Sequence, residues 1–136
     1  MKTLKLKNSQ LEILFKILDG DLPFSRSRRR KVFTDILQEK YKAREEARNV
    51  LLNKFSKKDD KGKPVIVDNK YDIEDMEGFQ KEFLVLYSED VIIDLPPSVE
   101  EVLPVIKELV EKTDIVVKDS EVEMIENIIK AFNDIK

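Results

Sequence analysis

Apolar residues recur at two different spacings along the chain, and the changes of spacing mark the predicted elements. Leu4 and Leu6 alternate with polar neighbours, which is the period of a half-buried strand, whereas Leu11, Leu14 and Leu18 follow the period of an amphipathic helix. In chain order the pattern predicts a strand over 3–7, a short helix capped by Asn8 or Ser9 and ended by Gly20, a long helix, a hairpin with strands at 65–67 and 71–73, a helix over 75–87, a strand over 91–95, a helix from Ser98, a short strand over 115–117 and a last helix opened by a capping box at Ser120–Glu123.

The long helix is predicted from about Ser27 to Ser56, a stretch without Pro or Gly. The centre of its buried stripe is defined by four apolar residues near its two ends, Phe33, Leu37, Leu51 and Phe55. Between them, three cations lie on or beside the same line, Lys40, Arg44 and Arg48. A helix of this length would extend for roughly 45 Å. Its middle should therefore leave the core, bridge two clusters or lie against another chain.

Strands and helices mix in this pattern without a regular βαβ alternation, which predicts the α+β class. We expect one long basic helix with several shorter helices and a small sheet or hairpins. The chain is predicted to form a single domain over 1–136. Any subdivision is expected near 57–64, where Asp, Gly and Pro indicate a turn-rich connection.

The composition excludes several classes of chemistry. The 136 residues include no Cys, His or Trp, so a disulfide, a thiol nucleophile, a Ser-His-Asp triad and a zinc finger are impossible. The three glycines, Gly20, Gly62 and Gly78, lie too far apart to form a phosphate-binding loop. We therefore predict a protein that is not an enzyme, with no catalytic residues, no cofactor and no metal.

Five aspartates gather around the predicted hairpin: Asp59, Asp60, Asp68, Asp72 and Asp75. A site made only of carboxylates could hold Ca²⁺ or Mg²⁺. Their order does not follow the alternating ligands and closing Glu of a calcium loop. Turn formation is the favoured interpretation, because Asp readily hydrogen-bonds nearby backbone groups.

The net charge of −3 conceals two oppositely charged halves. Residues 1–64 hold 18 Lys and Arg against 9 Asp and Glu, a net of +9, and residues 65–136 hold 7 against 19, a net of −12. Two interpretations are open. The charges of the halves can interleave within one fold, or the basic half can contact an anion or the acidic half of another copy.

Two groups of cations are the candidate binding residues. The first is a cluster at the start of the long helix, made of Arg26, Arg28, Arg29, Arg30 and Lys31, and the second is the row Lys40, Arg44 and Arg48. The cluster is either neutralised by nearby aspartates or forms a site for phosphate, nucleic acid or an acidic protein surface. The row either extends long side chains to water at the edge of the core or pairs with the acidic half of the same or a neighbouring chain.

Three segments resemble a family of small uncharacterised proteins encoded by phages and prophages of low-GC Gram-positive bacteria. They are the start Leu4–Asn8 with the apolar residues up to Leu18, the stretch Arg26–Tyr41, and Lys57–Pro64 leading to Tyr71–Ile73. The resemblance covers roughly residues 1–95. It implies a phage-encoded accessory protein that acts in virion assembly, and it supplies no catalytic residues.

Together these observations predict a non-enzymatic accessory protein that binds other proteins, including itself, in the host cytoplasm or in association with the virion. The alternative is a nucleic-acid-binding accessory protein that uses the Arg26–Lys31 cluster; the overall pI of about 5.2 and the scarcity of aromatic residues near the cluster disfavour it. A small acid-dependent hydrolase is a third hypothesis, kept only because carboxylates are abundant. No membrane contact is expected, since the longest apolar run is Phe83–Tyr87, and no small-molecule substrate is indicated.

Overall fold

The computed structural model of the protein describes residues 2–135. The chain forms two compact units. The first unit contains the residues up to Tyr41 and those from Asp90 onward, and the second contains Lys42–Glu89. The segment 57–64, where the sequence places any subdivision, lies inside the second unit.

The architecture is α+β, with helices accompanied by two separate two-stranded antiparallel sheets, as predicted. In chain order the elements are β1 (Lys2–Lys7), a 3-10 turn (Asn8–Gln10), α1 (Leu11–Leu18), α2 (Phe24–Phe55), β2 (Ile66–Val67), β3 (Lys70–Tyr71), α3 (Met76–Ser88), β4 (Asp90–Leu95), α4 (Pro97–Glu100), α5 (Leu103–Glu111) and α6 (Asp119–Asn133). Among residues 2–135, none of the helices combines the length and the apolar composition needed to cross a bilayer.

The pair of strands β1 and β4 organises the core of the first unit. The strands are antiparallel, with Leu4 opposite Ile93 and Lys2 opposite Leu95. Leu4, Leu6, Ile93 and Leu95 are buried, because alternate side chains of a strand point to the same face. The helices α1, α5 and α6 contribute their apolar sides to the same core.

Outside this core, the end of the strand pair holds a cluster of three charges. The Nζ atoms of Lys5 and Lys7 each lie 3.3 Å from a carboxylate oxygen of Asp90. Hydrogen bonds from Lys7 and then Lys5 favour the charged carboxylate and lower the pKa of Asp90 below its ordinary value of 3.8. A carboxylate whose pKa is lowered by folding stabilises the folded state fully when the pH lies above its ordinary pKa. This contribution is lost as the pH falls through the lowered pKa.

An NMR titration of the Asp90 carboxyl carbon should therefore have its midpoint below 3.8. Lys7→Met should raise the midpoint toward 3.8, and Lys5→Met should do so to a smaller extent, because Lys7 makes the larger contribution. Lys2→Met is the control on the same strand, since Lys2 pairs with Glu100 instead, at 3.3 Å. A midpoint that neither Lys5 nor Lys7 affects would contradict this account.

The long helix α2 contributes to both units. Phe33 and Leu37 are fully buried in the first unit, and Leu52 is buried in the second. The two ends of the helix thus supply buried apolar side chains to different units. The helix starts at Phe24, three residues before the predicted start.

A row of aromatic rings holds α3 against the end of α2 in the second unit. The ring centroids of Phe55 and Phe79 are 6.3 Å apart, those of Phe79 and Phe83 are 5.6 Å apart, and those of Phe83 and Tyr87 are 4.0 Å apart. The three rings on α3 are four positions apart, so they lie on one face of the helix. The side of α3 that carries Leu84 and Val85 does not take part in these ring contacts and is exposed.

Gly78 has a packing role in the first turn of α3. From the sequence it appears only as a weak point of the helix, because glycine has a low helix propensity. A Cβ at this position would lie 2.8 Å from Cε1 of Phe55 and closer still to the carboxylate of Asp75. That carboxylate accepts a hydrogen bond from the Gly78 N–H at 3.0 Å and caps the helix. Because Gly78 has no side chain, both the ring of Phe55 and the capping carboxylate of Asp75 fit beside its backbone.

Three local predictions are wrong. Residues 115–117 form no strand, since the described chain has no ladder partner for them and Val116 is exposed. The helix predicted from Ser98 is interrupted after Glu100 and resumes as α5, whose first turn accommodates Pro104. The last helix starts at Asp119, and its N-terminal hydrogen bond runs from the Lys118 N–H to Glu121 at 3.0 Å, two residues before the predicted capping box.

Candidate functional site

The two oppositely charged halves of the sequence interleave in the fold. The first unit holds 15 Lys and Arg against 17 Asp and Glu, a net of −2, and the second holds 10 against 11, a net of −1. Several ion pairs join a cation from residues 1–64 to a carboxylate from residues 65–136, among them Lys2–Glu100, Arg26–Glu108, Lys54–Glu82 and Lys57–Asp72. The structure therefore favours the first interpretation of the charge asymmetry, pairing within the chain.

The basic cluster at the start of α2 is largely used within the first unit. Arg26 lies 3.0 Å from Glu108, and Arg30 donates a hydrogen bond to the carbonyl of Leu18 at 2.7 Å, at the end of α1. Lys31 pairs with Asp35, four residues along the same helix, at 2.8 Å. Arg28 and Arg29 of the cluster are exposed, and they form no hydrogen bond or ion pair with another described residue.

The second row of cations does not form one surface. Arg44 is 2% exposed; its guanidinium lies 4.8 Å from the ring centroid of Tyr87 and 2.6 Å from Oε1 of Glu45. The expectation that its charged end reaches water is therefore wrong for Arg44. Arg48 is partly exposed and lies 3.7 Å from the same carboxylate. Lys40, also partly exposed, belongs to the first unit.

Three of the five aspartates near the hairpin form turns or a cap, in agreement with the favoured interpretation, whereas Asp72 pairs with Lys57 at 3.8 Å. Asp59 accepts hydrogen bonds from the backbone N–H groups of Lys61 and Lys63, both at 2.9 Å. Asp68 has a φ of 52° in the hairpin turn, and Asp75 caps α3. Residues 2–135 contain no group of three or more acidic side chains arranged to hold a metal ion.

A polar cleft of about 640 Å³ lies beside β1 and α6 in the first unit. Its charged lining residues have both signs: Lys5, Lys7, Asp90, Lys130 and Asp134. Because Asp90 already binds two of the lysines, the cleft presents little unbalanced charge to a ligand. It is therefore a poor candidate for a binding site.

The second unit carries an open apolar groove of about 620 Å³ between α2 and α3. Ala47, Val50 and Leu51 line it from α2, and Val85 and Leu86 line it from α3. Val50 is 64% exposed and Val85 is 59% exposed, although β-branched aliphatic residues are usually buried. Exposed apolar side chains that lie together in one groove offer a surface on which another protein can bind. We call these five residues, with Glu82 and Glu89 at the edge, the α2–α3 groove.

The charge at the edge of the α2–α3 groove is negative. Glu82 lies on α3, and Glu89 follows the last residue of α3 as its C-cap. The Glu82 carboxylate is 2.9 Å from Nζ of Lys54, whereas the carboxylate of Glu89 contacts no other described residue. The groove therefore combines an apolar floor with an edge of two carboxylates, of which Glu82 is paired with Lys54 and Glu89 leaves a net negative charge.

The sequence predictions miss this groove. They place Leu51 at the centre of the buried stripe of α2 and do not assign Val50 or Val85 to any surface. One signal was present, because the uninterrupted apolar run Phe83–Tyr87 covers every side of a helix, and a helix packed on one face cannot bury all of it. Tyr87 of that run contacts Arg44 on α2 and stacks with Phe83, whereas Leu84 and Val85 are exposed.

Comparison with known proteins reveals no relative: no protein-family model, curated protein or solved structure matches the chain. The resemblance to phage and prophage proteins accordingly stays a prediction.

Proposed function

We propose that this protein is a non-enzymatic accessory protein that binds an amphipathic helix of a protein partner in the α2–α3 groove. The observation that carries the proposal is the exposed apolar floor formed by Val50 and Val85 between two helices. A helix that lays its apolar face in a hydrophobic groove is a recurring mode of recognition. Because Glu82 and Glu89 lie at the edge of the groove, we expect the partner helix to carry Lys or Arg beside its apolar face.

The proposed setting follows from the resemblance to phage and prophage proteins. In that setting the protein acts in the host cytoplasm or on the virion, and its partner is another component of virion assembly. This setting rests on the sequence resemblance alone, and the groove is compatible with it.

The nucleic-acid alternative has less support from the geometry. Affinity for nucleic acid depends on the number of phosphates that cations neutralise, with about six to ten contacts in strongly salt-dependent binders. Of the predicted cluster, Arg26, Arg30 and Lys31 are engaged by Glu108, the Leu18 carbonyl and Asp35. Two exposed arginines make a much smaller phosphate-binding surface.

Fluorescence anisotropy with designed helical peptides tests the proposed function. A labelled peptide with Leu and Phe at helical spacing and Arg beside them should bind the full chain, and a peptide with the same apolar face and Glu in place of Arg should bind at least tenfold more weakly. Val85→Asp should weaken binding of the Arg peptide by at least about tenfold, or about 1.4 kcal/mol.

Leu84→Asp is the matched control for Val85→Asp, because Leu84 is 65% exposed on the same helix but does not line the groove. This variant should bind the Arg peptide as the wild type does. No anisotropy change at about 1 mM protein, which corresponds to binding weaker than about −4 kcal/mol, would refute the proposal. Equal losses in the two variants would place the binding surface elsewhere.

A further inference from the structure

A second exposed surface of the chain has the composition that the α2–α3 groove requires. It lies in the first turns of α2 and consists of Phe24, Arg28, Arg29 and Val32. Phe24, Arg28 and Val32 are four residues apart and therefore share one face of the helix, with Arg29 next to Val32. Phe24 is 80% exposed, and the other three residues are exposed as well. We call these four residues the Phe24 face.

The free charge of the Phe24 face is positive. Lys31 and Asp35, on the same helix, neutralise each other at 2.8 Å. Arg28 and Arg29 are exposed and form no hydrogen bond or ion pair with another described residue, so both guanidinium groups are available. An apolar ring and an aliphatic side chain flanked by two arginines match an apolar groove flanked by carboxylates in both hydrophobicity and charge.

We propose that the occupant of the α2–α3 groove is the Phe24 face of a second copy of this chain. Phe24 and Val32 would contact the apolar floor at Val50 and Val85, and the two arginines would lie beside Glu82 and Glu89. This inference rests on the proposed function, because it names the source of the helix that the groove binds. The contact joins two different surfaces, so each copy offers one groove and one face.

Mixing two variants tests this arrangement by sedimentation velocity. Val85→Asp removes the groove and keeps the face, whereas the double variant Arg28→Glu with Arg29→Glu removes the face and keeps the groove. At about 0.05 M salt the wild type should self-associate, and each variant alone should do so at least tenfold more weakly. An equimolar mixture should regain association as a one-to-one pair, because the face of the first variant can occupy the groove of the second.

Salt and a matched charge change provide the controls. Raising the salt to about 0.5 M, where charges are screened beyond a few ångströms, should weaken wild-type association at least tenfold. Lys61→Glu with Lys63→Glu produces the same change of net charge on exposed loop residues outside the groove, and it should associate like the wild type. Equal weakening by this control would show that net charge alone is responsible and would overturn the proposal.

Engineered cysteines give a second measurement, which detects the proximity of two positions in neighbouring copies and does not depend on weakening the contact. The chain has no Cys, so a single cysteine reports one position. Under mild oxidation, a mixture of Arg28→Cys and Glu89→Cys chains should form the mixed disulfide at least tenfold faster than a mixture of Lys61→Cys and Glu89→Cys chains. Equal rates for the two mixtures would overturn the proposal.

Failure of this inference is distinguishable from failure of the proposed function. A chain that binds the Arg peptide but stays monomeric at low salt, with no recovery on mixing, would show that the groove binds a different protein. A chain that binds no peptide would refute both proposals. Self-association of the double arginine variant at wild-type strength would show instead that copies contact each other without the Phe24 face, which also overturns the inference.

Discussion

Phe33→Ala should destabilise the first unit by about 3–5 kcal/mol, the range for removing a buried aromatic side chain from a core. Phe33 is 0% exposed, and its ring centroid lies 5.9 Å from that of Phe132 on α6. The substitution removes this ring contact and leaves a cavity that the surrounding helices can fill only in part. Since small domains have total stabilities of about 5–15 kcal/mol, a large share of the folding free energy should be lost.

Phe24→Ala is the matched control, because it makes the same chemical change on the same helix at a position that is 80% exposed. We expect its effect to stay within about 0.5 kcal/mol. Urea denaturation should be followed together with hydrogen exchange of the amides in α1 and α6, which separates the first unit from the second. The packing described above would be contradicted if the two variants lost similar amounts of unfolding free energy. It would also be contradicted if the α6 amides of Phe33→Ala exchanged hydrogen at the wild-type rate.

The elements most faithfully predicted from the sequence are those with strong local signals. Alternation of Leu4 and Leu6 located β1, and helical spacing located α1 and α3 to within a few residues. Residues 115–117 show why the same reasoning fails elsewhere. A run of β-branched residues favours extended backbone, but a strand also needs a partner, and the pairing of distant segments cannot be read from local sequence.

The candidate site was not predicted from the sequence, which pointed to the cations of α2 instead of to the apolar groove. The density of cations in Arg26–Lys31 indicated a binding surface, yet the partners of Arg26 and Arg30 come from other elements, at Glu108 and the carbonyl of Leu18. The groove depends on which side of α3 faces α2, a choice made by the aromatic row and by the space that Gly78 leaves for Phe55. Such choices arise from tertiary packing, which overrides local propensity.

Arg44→Glu should have the second large effect, a loss of about 3–5 kcal/mol in the second unit, comparable to that of breaking a buried ion pair. The guanidinium at this position is 2% exposed, lies over the ring of Tyr87 and binds Glu45. A carboxylate there would be repelled by Glu45 and by the negative face of the aromatic ring. Hydrogen exchange of the α3 amides should rise accordingly, and binding of the Arg peptide should be lost, because α3 carries Val85.

Arg44→Met separates the role of the charge from that of the volume. Replacing a buried charge by an apolar side chain of similar size is often nearly neutral. The partner left behind, Glu45, is partly exposed and retains Arg48 at 3.7 Å, so it does not become an isolated buried charge. We therefore expect Arg44→Met to lose no more than about 1 kcal/mol and to keep peptide binding. If Arg44→Met unfolds the second unit as fully as Arg44→Glu, the guanidinium itself, through its contacts with Tyr87 and Glu45, is what positions α3 and with it the groove.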